Sequence, residues 1–211
     1  MIAMEELLQR IEALKKSAVR KKIDGRMREF SALGKKPSAE QFEELCFCLL
    51  TANFNAERAI EIQGRIGGGF CSLPRGKLSK KLRELGYRYP NKRSEYICGA
   101  RKFSGTIAEK IASFPDGRKA REWLVQNVRG LGYKEASHFL RNIGFTDVSI
   151  IDFHIIDLLH REGVCEKPKT LTPEKYLGIE SVLERLAGKA GLNLAELDLY
   201  LWFLETGKVL K

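Results

Sequence analysis

No stretch of this sequence approaches the eighteen or so consecutive apolar residues that a membrane-spanning helix needs. A transmembrane reading is therefore set aside. The opening segment, 4–14, is amphipathic and carries Glu5, Glu6 and Glu12, which a secretory signal would not. A cytoplasmic protein is expected. Cysteine is sparse: Cys46, Cys48, Cys71, Cys98 and Cys165 are odd in number and lack the short paired spacings of a zinc or iron–sulfur site. Cys46-Phe47-Cys48 lies in the apolar stretch 42–50, where small thiols pack as core residues. Reduced thiols also suit a cytosolic compartment. His154 and His160 are six apart and so fall on different helix faces, which argues against a shared metal. No metal and no cofactor is expected. Sustained period-2 alternation, internal repeats and low-complexity segments are missing as well. Gly67-Gly68-Gly69 has neither a strand before it nor a Lys-Ser/Thr after it, so it reads as a loop rather than a nucleotide cradle.

What is present is helical periodicity. Met4, Leu7, Leu8, Ile11 and Leu14 share one helical face, and Phe42, Leu45, Cys46, Leu49 and Leu50 repeat the pattern. Further helices are predicted around 78–85, 91–103, 118–128, 133–143, 153–161, 179–190 and 195–204. Gly86, Gly144, Gly163 and Gly191 punctuate their ends, as C-cap chemistry prefers. The fold class is all-α, and 211 residues can bury a core divided between two small lobes.

The net charge of +10 is unevenly spread. Residues 75–102 hold ten Lys or Arg against two Glu, and residues 15–36 hold nine against Asp24 and Glu29. The rest of the chain is net acidic. Two basic blocks on an acidic body make a phosphate-facing surface, or else a pair of solvated helix faces.

The segment Val128-Arg129-Gly130-Leu131-Gly132-Tyr133-Lys134 carries more. The predicted helix before it packs through Ala120, Trp123 and Leu124, and the one after it through Ala136, Phe139, Leu140 and Ile143. Gly130 and Gly132 permit a tight reversal between them. Such a turn leaves amide N–H groups free at the start of the second helix to hold a DNA phosphate, helped by the helix dipole. A plain helical hairpin with glycines is also common. Lys134, one turn into that helix, is a candidate nucleophile if its setting strips its proton; otherwise it is a surface lysine. His138, one turn further on, could shape its surroundings. Asp152 stands where an N-cap is expected, and a carboxylate fixed by backbone amides stays ionised and can steady a cationic sugar. Both roles are compatible.

The chain here resembles the helix–hairpin–helix family of DNA glycosylases, with Ser149-Ile150-Ile151-Asp152 standing where the family usually has Gly-Pro-Asp. Lys134-Glu135-Ala136-Ser137-His138-Phe139-Leu140-Arg141-Asn142 is similar to the 8-oxoguanine glycosylase/lyases typical of archaea and some thermophilic bacteria. So are Leu50-Thr51-Ala52-Asn53, Arg88-Tyr89-Pro90-Asn91-Lys92-Arg93 and Asp198-Leu199-Tyr200-Leu201-Trp202. The resemblance implies a base-flipping repair enzyme acting on double-stranded DNA that contains 8-oxoguanine. Lys134 would attack C1′ and form a Schiff base, Asp152 would assist, and β-elimination would nick the strand. It further implies that Tyr89 and Trp202 sandwich the flipped base, although core packing is the plainer role for Trp202. Asn53 would fill the gap near the orphaned base, or merely cap a helix C-terminus. Lys211, the last residue, would tell 8-oxoguanine from guanine, where a last residue is otherwise frayed. Gly130 and Gly132 would hold the DNA backbone.

The resemblance implies two lobes with the active site in the cleft between them. Residues 37–136 would form one, and 1–36 with 137–211 the other, with the hairpin motif spanning 118–143. A nucleoid-associated monomer is expected, with no iron–sulfur centre. Two other readings stay open: a glycosylase/lyase for another oxidised base, and a non-catalytic helix–hairpin–helix DNA-binding module.

Overall fold

The structure, a computed structural model, describes residues 2–211, with side chains described from residue 4. Thirteen α-helices and one 3-10 turn account for its regular structure, and no strand occurs among the described residues. No described helix is long and apolar enough to cross a membrane.

Burial sorts the helices into two cores. The first is built around α3 (Ser38–Thr51), in which every residue from Glu44 to Thr51 is buried. A helix enclosed on all sides by α4 (Ala56–Ile66), α5 (Gly69–Ser72), α7 (Pro90–Ala100), α8 (Ile107–Ala112) and α10 (Tyr133–Asn142) has no polar face to show. Cys46 and Cys48 are fully buried within it, as core thiols should be. α6 (Arg75–Glu84) lies against α7, and α9 (Gly117–Asn127) pairs with α10. The second core joins α1 (Ile2–Lys15) and α2 (Ala18–Leu33) to α11 (Phe153–Arg161), α12 (Pro173–Ala190) and α13 (Leu194–Thr206), through Leu7, Ile11, Phe30, Leu158, Leu186 and Leu199.

The first core takes in Phe139, Leu140, Ile143 and Val148. Packing thus carries the middle unit to residue 148, beyond position 136 where the sequence suggests a boundary. The cause is α10, whose apolar residues Phe139, Leu140 and Ile143 pack into the first core, chiefly against α3 and α9.

Three helices are invisible to periodicity. α2 buries only Ile23 and Phe30, too thin a stripe to stand out amid its charges. α4 and α8 lie in stretches where no helix is read from the sequence. The triple glycine is not wholly loop, since Gly69 opens the single-turn α5.

Two of the contacts that join the units lie close to the hairpin helices. Gly34, after α2, sits so close to the end of α10 that a Cβ there would lie 2.0 Å from the Ile143 carbonyl oxygen. Deeper in, Arg121 of α9 is fully buried and donates through Nη1 and Nη2 to the Glu180 carboxylate of α12, at 2.6 and 2.7 Å. Glu180 also accepts from the Ser149 amide at 2.8 Å, and Arg121 reaches Ser137 at 3.1 Å. The Tyr176 hydroxyl donates to the Ser149 carbonyl at 2.7 Å and accepts from the Ile151 amide at 3.2 Å. Removing one member of a buried ion pair strands its partner's charge in a medium that cannot solvate it. Arg121→Met is therefore expected to lower unfolding stability by about 3–5 kcal/mol, read as a shift in urea midpoint. The double replacement Arg121→Met with Glu180→Leu should recover a large part of the loss.

Candidate active site

A cleft of about 810 Å³ opens between the two units. Its wall draws on the α3–α4 connection, one face of α10, the entry to α11, and the end of α13 with the residues after it. Lys134, Asp152, Asn53, Trp202 and Lys211 all line it. Five candidates spread over 159 positions of sequence thus converge on one cavity.

Lys134 is the second residue of α10, and its side chain is only 21% exposed. Its Nζ lies 3.5 Å from Thr51 Oγ1 and 4.0 Å from Glu135 Oε1. Thr51 gives its own proton to the Cys48 carbonyl at 2.8 Å, so its lone pairs are left to receive the lysine. Glu135 is held in turn by the Gly132 amide, which donates to its Oε2 at 3.2 Å at the start of α10. The hairpin behind this helix depends on Gly130, with φ +94° and a hydrogen that faces the Tyr96 ring. A Cβ would meet that ring at 2.3 Å. Gly132 is different from what the sequence suggests: its φ of −95° is open to any residue, and its part is to cap α10. The tight reversal rests on Gly130 alone.

Asp152 is the N-cap of α11 and accepts from the Ile155 amide at 3.1 Å. Phe153 beside it is 65% exposed, an unusual state for a large apolar ring, and it also lines the cleft. Trp202 lines the cleft with its ring perpendicular to that of His154, centroids 5.3 Å apart, and its indole N–H has no partner. Asn53 is the one described non-glycine residue with positive φ, +56°, in the turn after α3. Its position is set from behind: Tyr87 donates to the Leu50 carbonyl at 2.8 Å and Arg93 to the Ala52 carbonyl at 3.2 Å.

Tyr89 is not brought to the cleft. It is the N-cap position of α7, is 41% exposed, and lies beneath the Arg88 guanidinium 5.0 Å from its ring centre. The structure therefore does not bring Tyr89 together with Trp202 in the cleft wall. The 75–102 basic block does adjoin the hairpin. Glu95 of α7 pairs with Arg129 at 2.9 Å, and Arg129 stacks over Tyr96, 5.5 Å from its centre.

Periodicity missed a buried carboxylate in the cleft wall, Asp198, paired with Arg141. Burial raises its pKa above the usual aspartate value, against the pull of Arg141. A lone acid inside the apolar run Leu197-Asp198-Leu199-Tyr200-Leu201 was the available signal. No cluster of metal ligands occurs among the described residues.

His138 is the most constrained titratable group of the wall. It is 94% buried by its 6% exposure, and neither ring nitrogen has a hydrogen-bond partner of good geometry. Burial holds its pKa well below 6.5, with Arg141 and Lys134 pushing the same way and the Lys211 main chain partly opposing. The unfolded chain takes up a proton at this ring near pH 6.5 while the folded one does not. Stability is thus full above that value and falls as pH drops through it. Melting temperature is expected to decline on acidification through this range, and less so in His138→Phe.

The family model described as 8-oxoguanine DNA glycosylase matches residues 23–192. The chain is 54% identical over 211 residues, the whole of both chains, to the 8-oxoguanine DNA glycosylase/AP lyase of Korarchaeum cryptofilum. It is similar to the crystal structure of the Methanocaldococcus jannaschii 8-oxoguanine glycosylase/lyase in complex with a 15mer DNA containing 8-oxoguanine. There the TM-score is 0.95 at 51% identity, covering 98% of this chain and 100% of that one. The 8-oxoguanine DNA glycosylase of Thermotoga maritima superposes with a TM-score of 0.92 at 43% identity, covering 99% of this chain and 100% of that one. An all-helical chain matched from end to end at such identity belongs to the 8-oxoguanine DNA glycosylase family.

Proposed function

We propose that this protein excises 8-oxoguanine from double-stranded DNA and then nicks the strand at the resulting abasic site. The observation that carries the reading is the meeting of Lys134 and Asp152 in one cleft, at the mouth of a glycine hairpin flanked by a basic surface. Both are also present in a chain that matches glycosylase/lyases along its whole length.

The chemistry follows from what each group can do. The hairpin amides and the basic face of α6 and α7 hold phosphates, and the lesion leaves the base stack for the cleft. Trp202 offers an aromatic face to it. The Lys134 amine, once deprotonated, attacks C1′; the glycosidic bond breaks and the base departs with its electron pair and takes up a proton. Asp152 steadies the positive charge that develops on the sugar. Loss of ring oxygen bonding at C1′ gives the imine between Lys134 and the opened sugar. A proton then leaves C2′, the 3′ phosphate leaves C3′, and hydrolysis of the imine frees the enzyme. Lys211 meets the base at the cleft wall and separates 8-oxoguanine from guanine, which differ in the C8 carbonyl and the hydrogen on N7. One copy of the chain supplies every residue invoked, consistent with a monomer, and a DNA substrate implies residence on the nucleoid.

Borohydride trapping on a duplex with a single 8-oxoguanine tests the reading. A covalent protein–DNA product is expected with the lesion, not with guanine, and not with Lys134→Gln. Asp152→Asn should keep DNA binding while slowing excision by roughly a hundredfold or more, the scale of a lost acid–base or electrostatic group. A product that persists in Lys134→Gln would move the nucleophile elsewhere. Salt-sensitive binding with no product at all would leave a DNA-binding module.

A further inference from the structure

Lys211 is held from outside the cleft that it lines. Its Nζ donates to Glu44 Oε2 at 2.8 Å and to Gln63 Oε1, and sits 4.3 Å from the centre of the Phe47 ring. Glu44, on α3, is only 2% exposed. Its other oxygen accepts from Asn142 Nδ2 at 2.6 Å, and Gln63 Nε2 donates to Oε2 at 3.0 Å. Lys211 is among the residues lining the cleft, whereas Glu44 and Gln63 are not. They form a cradle behind the wall.

The path of the chain gives that cradle its purpose. α13 belongs to the second core and stops at Gly207, φ +71°. The following residues cross to the first core, where Lys208 pairs with Glu57 of α4 at 2.7 Å and Lys211 with Glu44 of α3. The Lys208 pair is about half exposed on both sides and holds little. Glu44 and Lys211 are the buried anchor, at 3% and 20% side-chain exposure. A carboxylate so enclosed needs a cation and hydrogen bonds around both oxygens, and it has them. Because the ammonium is engaged by Glu44 and Gln63, it is not available to a DNA phosphate. The main-chain end of the residue is left toward His138 and the cleft.

We propose that Glu44, assisted by Gln63, is a positioning residue for lesion recognition: it fixes residue 211 across the cleft at the spot where the flipped base is read. The inference rests on the reading above in which Lys211 discriminates the base. Asn142 extends the effect, because its Oδ1 accepts from Arg141 at 2.8 Å and Arg141 pairs with Asp198. The reader is thereby tied to α10, the helix that carries Lys134.

Single-turnover excision of 8-oxoguanine and of guanine from matched duplexes tests this, together with nicking of a preformed abasic site, where no base remains to be read. In Glu44→Gln the 8-oxoguanine-to-guanine rate ratio is expected to fall roughly ten- to hundredfold, the scale of one hydrogen bond to a charged group. Abasic nicking should fall far less. Lys211→Met should reproduce the loss, and the double variant should lose no more than either single one. Should Glu44→Gln fail to fold, Gln63→Met at its half-buried site on α4 reads the same cradle, with a smaller drop in the ratio. A ratio kept in Glu44→Gln, or in Gln63→Met where that stands in, but lost in Lys211→Met overturns the positioning role. Parallel loss of excision, nicking and melting temperature overturns it too, leaving Glu44 as a fold residue. A ratio kept in Lys211→Met overturns the positioning role as well, because the side chain that Glu44 holds would then not be needed, without touching Lys134.

Discussion

The ion pair of Arg121 with Glu180 is the contact on which the placement of everything else depends. It ties the hairpin helices to α12 at a point where no water can compensate a misfit. The same carboxylate holds the Ser149 amide, and Tyr176 fixes the extended stretch from Ser149 to Ile151 that delivers Asp152. Tyr133 and Tyr176 flank the guanidinium, with ring centres 5.2 and 5.5 Å from it. Tyr133 directly precedes Lys134. One buried cation therefore sets the relation between the helix with the amine and the turn with the carboxylate. Buried pairs of this kind are costly to desolvate and add little net stability over a well-packed apolar substitute. What this one provides is geometry, since a bidentate guanidinium–carboxylate contact tolerates few orientations.

A second buried polar chain runs along the other side of the cleft. From Lys211 it passes through Glu44, Asn142 and Arg141 to Asp198, so that α3, α10 and α13 are joined under the wall by charged and amide groups. The cations of the cleft wall are matched by carboxylates, Arg141 by Asp198 and Lys211 by Glu44, and burial keeps His138 neutral in their midst. Phe153 and Trp202 supply the apolar part of the same surface.

Much of this was legible before any coordinates. The stripes at 4–14 and 42–50 and the hairpin at 128–134 named their helices correctly, because each has an apolar face against a single core. α2 was not legible, since two buried residues in sixteen leave no period to detect. Where α10 packs is not legible either: the sequence shows that it has an apolar face but not which core receives it. Gly132 was over-read and Gly130 was not, since two glycines in one turn look alike until φ distinguishes them. Tyr89, which the resemblance puts at the base, is not among the residues that line the cleft.

The sequence by itself determined the helical class, the hairpin, and the residue types that imine chemistry on DNA requires, because these follow from local periodicity and from side-chain reactivity at short spacing. Only the tertiary structure decided that residues 53, 134, 152, 202 and 211 share one cavity. It alone paired Arg121 with Glu180, Arg141 with Asp198, and Lys211 with Glu44, across separations of 57 to 167 residues. A buried charge leaves no periodic trace in sequence, and its partner is chosen by whichever helix the packing of the cores brings alongside.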